Sequence, residues 1–109
     1  MFEYTKIKEK VQISLFLERV KKIKQEKIEC TTHAFFRLSK KQKAVYTEGE
    51  LKRVLIEEAP FLVGIQDNEC HAVFYNYKGK ILKMIVVFNS TKLNRVTFYF
   101  IKEEQVPRI

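Results

Sequence analysis

The hydrophobic period of this chain changes at Pro60, and that change constrains the fold more than any other feature. Before Pro60, apolar residues recur at helical spacing among charged ones; after it they alternate with period two. "FLVGI" (61–65), "CHAVFYNY" (70–77), "KILKMIVVF" (80–88) and "RVTFYFI" (95–101) read as four strands. Asp67-Asn68 and Lys78-Gly79 supply turn residues, and "NSTKLN" (89–94) makes the last connection. Strands joined so closely pair antiparallel. The expected class is therefore α+β, with N-terminal helices packed on one face of a four-stranded antiparallel meander sheet. In the last strand Val96, Phe98 and Phe100 share one face and should meet the helices. Arg95, Thr97 and Tyr99 share the other face, where a ligand can approach. Which face takes His71, Tyr75 and Tyr77 depends on register, which the pattern leaves open.

Three helices are expected ahead of the sheet. From about Lys8 to Lys27, "KEKVQISLFLERVKKIKQEK" sets Val11, Ile13, Leu15, Phe16, Val20 and Ile23 along an apolar stripe. A short strand through "VQISLFL" competes there, but the charges that follow and the lack of breakers favour a helix. Thr32 is positioned to cap a second helix, roughly His33 to Lys40. In "YTEGELKRVLIEEAP" Thr47 caps a third, Glu50 is placed to return the bond, and Tyr46 and Leu51 can form a hydrophobic staple. Leu51, Val54 and Leu55 make the buried stripe, and Pro60 ends the helix.

A length of 109 residues fits a single domain, residues 1–109, and 46% apolar with 31% charged residues is a globular rather than a disordered composition. No apolar run approaches the roughly 20 residues that span a bilayer, and the N-terminus lacks a signal core. A cytoplasmic protein without a membrane partner is the expectation. Cys30 and Cys70 are read there as free thiols rather than a disulfide. With His33 and His71 they supply zinc-ligand types, but neither pair has a zinc-site spacing. Glycine-rich phosphate loops, nucleophile elbows and paired-carboxylate motifs are missing, so no cofactor is expected. The formal charge of +8 favours RNA, another nucleic acid or an acidic protein as partner.

The segment "TTHAFFRLSKKQK" (31–43) carries the most suggestive chemistry. His33 and Arg37 lie i and i+4 apart, on one face of a helix, and Lys41 continues the row. A histidine moves protons near neutral pH and a guanidinium grips phosphate oxygens in a fork, a pairing suited to phosphodiester chemistry. The same spacing also serves a capping histidine beside an arginine paired with a helix carboxylate.

"TTHAFFRLSKKQ" resembles the Thr-x-His-Ala-x-x-Arg opening of a family of small bacterial and archaeal proteins, similar in plan to the BrnT and RelE/ParE toxins of toxin–antitoxin systems. That resemblance implies a toxin-like α+β core over residues 31–102 behind a variable segment, residues 1–30. It also implies a metal-independent endoribonuclease, with His33 as base or acid and Arg37 stabilising the phosphorane. Lys41 and Gln42 stand where members often carry a second arginine and a glycine, which keeps the charge without the planar fork. Lys40, Lys41, Lys43 and Arg95 are the expected supporting cations, and Tyr99 the expected stacking surface. The alternative is a non-catalytic basic module, gripping nucleic acid or an acidic antitoxin-like protein through "KKIKQEK" (21–27) and "SKKQK" (39–43).

Overall fold

The computed structural model describes residues 7–24, 27–30, 40, 46–67, 69–89 and 92–108. In chain order its elements are β1 (Ile7–Lys10), α1 (Ile13–Lys21), β2 (Ile28–Cys30), α2 (Glu48–Glu57), β3 (Leu62–Gln66), β4 (His71–Tyr77), β5 (Lys80–Phe88) and β6 (Leu93–Ile101), followed by a 3-10 turn, Glu103–Gln105.

The meander β3-β4-β5-β6 forms as the alternation implies, antiparallel throughout. Lys78 and Gly79 take φ of 49° and 78°, the left-handed pair that lets a two-residue turn follow the strand twist. The sheet is nevertheless larger than expected. It has six strands in the order β1-β3-β4-β5-β6-β2, with β1 antiparallel to β3 and β2 parallel to β6. β1 takes the start of the stretch expected as one long helix, which shrinks to α1, and β2 lies just past that stretch's expected end. The charged flanks of α1 offer no apolar face to a longer helix, whereas extended segments on either side of it satisfy backbone groups along β3 and β6 that would otherwise lack partners. The second expected helix falls outside the described residues except for Lys40, which is helical and exposed.

α1 and α2 cover one face of the sheet. Phe16 and Val20 of α1 and Leu51, Val54 and Leu55 of α2 pack on Val63, Val73, Leu82, Met84, Val86, Val96 and Phe98. Leu15, expected in the α1 stripe, is 55% exposed, because one residue before Phe16 it lies about 100° off the 13-16-17-20 row. α2 starts as its sequence implies: Thr47 Oγ1 accepts from the Glu50 amide at 3.1 Å, and Tyr46 and Leu51 are both buried in the same core. The return half of the capping box is not made, because the Glu50 carboxylate is held by Arg53 and Tyr77.

Register settles the open question about β4. His71, Tyr75 and Tyr77 stand opposite Val86, Leu82 and Lys80, on the helix side. Tyr75 is 1% exposed, and among the described residues its hydroxyl has no hydrogen-bond partner. Burial and the nearby Glu58 charge hold its pKa above the ordinary tyrosine value. Because an unsatisfied buried hydroxyl costs about 1–3 kcal/mol, Tyr75→Phe should stabilise the fold by on the order of 1 kcal/mol. A lower urea midpoint for the variant would show that the hydroxyl contributes to the native state.

The far side of the sheet, away from α1 and α2, carries a smaller core. Leu62, Ala72 and Phe74 are buried there, with Ile7, Ile85, Ile101 and Val106 packed against them. Val106 reaches this core because the chain turns after β6, where the Lys102 amide donates to Gln105 Oε1 at 2.8 Å. Among the described residues no helix is long and apolar enough to cross a membrane.

Candidate nucleic-acid interface

On the far side, β5 and β6 place Lys83 directly opposite Tyr99, and β4 places Phe74 opposite Lys83. The Lys83 ammonium lies 5.7 Å from the Phe74 ring centroid. Lys83 and Tyr99 are both partly exposed, and Thr97, opposite Ile85, lies one same-face step away. Thus Thr97 and Tyr99 occupy the face expected of them, while Val96, Phe98 and Phe100 meet the helices. Arg95 lies in β6 where the register slips between Ile85 and Val87, and its side chain is outside the described residues. Sequence reasoning missed Lys83. Its signal was available: after Lys80 at the strand's start it is the one further charge in "KILKMIVVF", in phase with Ile81 and Ile85, but its neighbours required the register.

His33, Arg37, Lys41 and Lys43 lie outside the described residues. The other histidine, His71, sits half-buried on the helix side with its ring edge-on to Phe88, centroids 4.9 Å apart. The Arg19 guanidinium lies 4.2 Å from the same Phe88 ring. Burial first, then the Arg19 charge, lowers the His71 pKa and leaves it neutral at pH 7. It does not share a face with Lys83 and Tyr99.

Several cations have structural employment. Arg53 grips Glu50 through Nε at 2.8 Å and Nη2 at 2.9 Å, and reaches Glu58 at 3.1 Å. Tyr77 Oη donates to Glu50 at 2.6 Å. These bonds, Arg53 first and Tyr77 second, hold the Glu50 carboxyl at about 2, well below its usual value. A depressed carboxylate stabilises the fold above its unfolded pKa, and that contribution disappears as pH falls from about 4.5 towards 2. Glu50→Gln should therefore lower stability at neutral pH by on the order of 1 kcal/mol and flatten its acid dependence over that window. Urea midpoints for both proteins that fall in parallel from neutral pH to pH 2 would contradict the assignment.

By contrast, Lys21, Lys22, Lys24 and Lys27 cluster around the C-terminal end of α1, and none pairs with a described carboxylate. Cations there also complement the negative end of the helix dipole.

The cysteines remain apart. Cys30 lies in β2 and Cys70 precedes β4, with β5 and β6 between those strands. Three strand spacings amount to roughly 14 Å, and a disulfide needs Cα atoms within about 7 Å. Among the described residues no three His, Cys, Asp or Glu side chains converge as a metal site would require.

A sequence profile of the MJ0788 family matches residues 14–88, from α1 through β5. The chain belongs to the MJ0788 family. Nothing matches among curated proteins or among solved structures. The MJ0788 match carries no toxin name, and it ends before β6, the strand that supplies Tyr99.

Proposed function

We propose that this protein is a small basic module that binds single-stranded RNA across the far face of its sheet. The observation that carries this reading is the Lys83–Tyr99 pair, a cation and an aromatic ring directly opposite each other on the face that α1 and α2 leave uncovered. Sheet faces bind single strands in this way: bases stack on aromatic side chains while cations follow the phosphates. The +8 charge supports it by making counterion release favourable. In a titration with oligouridylate of about ten nucleotides, log K should fall linearly with log salt, at about −0.7 per phosphate neutralised. Affinity that does not weaken with salt, or that a mixed-charge control protein matches, would remove the reading.

A second reading, a metal-independent endoribonuclease of the toxin–antitoxin kind with an acidic antitoxin-like partner, is favoured by the His33–Arg37 spacing. There His33 moves the proton and Arg37 holds the phosphate. His33→Ala should then lose cleavage and keep RNA binding, whereas Arg37→Ala should lose both. Variants that fold and retain all wild-type cleavage would end this reading. Absence of cleavage in every protein, with binding lost only in Arg37→Ala, favours the binding module.

A further inference from the structure

At the end of the sheet where the β4–β5 turn meets the chain leaving β6, a groove of about 1090 Å³ opens beside the C-terminal turn. Phe61, Asn76, Lys80, Lys102, Val106 and Arg108 are among its lining residues. We propose that this groove binds one nucleotide unit, base and phosphate together, and that it extends the RNA-binding face. The second half of the proposal rests on the RNA-binding reading above; the first does not.

Position is the first argument. Asn76 pairs with Ile81 and Ile81 with Ile101, so this row is the next same-face row after Phe74–Lys83–Tyr99. The groove is therefore continuous with the Lys83–Tyr99 surface, about 7 Å further along the strands. Its wall is anchored. Val106 is packed into the far-side core, and its amide donates to the Glu103 carbonyl at 3.1 Å.

Chemistry is the second argument. Phe61 leaves 39% of its surface exposed while its amide donates to the Phe74 carbonyl at 2.9 Å, so the ring is held at the groove as a stacking surface. Asn76 offers a donor and an acceptor together, as the edge of a base requires. Lys102 and Arg108, with Lys80 at the rim over the Phe100 ring, line the groove against one carboxylate among the described residues, Glu103, an excess that suits a phosphate dianion. An acidic peptide would use the cations but not the ring and the amide. The volume of about 1090 Å³ lies just above the roughly 300–1,000 Å³ of ordinary ligand sites, room enough for a nucleotide.

The test is an NMR titration of the whole protein with adenosine monophosphate, alongside adenosine and inorganic phosphate. Adenosine monophosphate should shift the Asn76 side-chain amide and the Gly79 backbone amide, and bind more tightly than either fragment. Phe61→Ala should weaken it at least about fivefold, the low end of a lost stacking contact, and Arg108→Ala should weaken adenosine monophosphate but not adenosine. Both residues are exposed, so both variants are expected to fold. Groove signals that do not move, or equal affinity in wild type and both variants, overturn the proposal. So does an oligoglutamate peptide that moves those signals when adenosine monophosphate does not, which would assign the groove to a protein partner. Nucleotide binding without oligouridylate binding leaves the groove standing and removes the RNA reading. Oligouridylate binding that depends on Tyr99, with no nucleotide in the groove, does the reverse.

Discussion

Gly64→Ala should cost the fold about 1–3 kcal/mol, the usual range for forcing a methyl into filled space. A Cβ at this position would lie 2.4 Å from Ile7 Cγ2 and 3.3 Å from the Glu9 carbonyl oxygen. Cγ2 sits on the branched Cβ of Ile7, whose χ1 is stiff, and Cδ1 of the same side chain is also close at 3.3 Å, so relief takes a costly rotamer change or a shift of β1. Gly64 also faces Ala72 across β3 and β4, so the small pair forms the trough in which Ile7 packs. Hydrogen exchange should show the β1–β3 amide bonds opening first, while β5 and β6 keep their protection. Ile7→Ala made together with Gly64→Ala should recover part of the loss, since the two changes share one contact. A Gly64→Ala protein as stable as wild type would show that β1 is not packed on β3 as described.

Tyr99→Ala should weaken single-stranded RNA binding by about 1–3 kcal/mol, or roughly 5- to 150-fold. Tyr99→Phe should keep most of the affinity, because stacking uses the ring rather than the hydroxyl. That conservative variant also guards against a purely structural effect, since Tyr99 is only partly exposed. Lys83→Ala should act differently, weakening all sequences alike and reducing the salt slope by the share of one phosphate contact. Unchanged affinity in folded Tyr99→Ala and Lys83→Ala proteins would remove the far face from the interface.

The meander was legible because its strands kept their alternation and the Lys78-Gly79 turn its chemistry. β3, β4 and β5 begin within a residue of their sequence-based starts and β6 two residues earlier. The edges were not legible. "IKEK" carries too few apolar residues to show a period, and in β2 Ile28 is the one residue described as buried. Such segments become strands because a neighbour offers unpaired backbone groups, information that lies elsewhere in the sequence. The candidate interface divides in the same way. Tyr99 followed from the phase of its own strand, whereas Lys83 became visible beside it only through the pairing of β5 with β6. Glu50 shows a further limit: its spacing from Thr47 signals a cap, but nothing local reveals that Arg53 and Tyr77 hold its carboxylate.

The pairing of β2 with β6 also bears on how the chain assembles. β2 precedes β6 by more than 60 residues, yet the two strands lie side by side. Until β6 is in place, β5 presents one bare margin and Ile28 lacks the strand it pairs with. Contacts of such long sequence separation carry a large loop-closure entropy and slow the approach to the native state. Completion of β6 closes both gaps at once, so the sheet closes only after residues 93–101 have reached both β5 and β2.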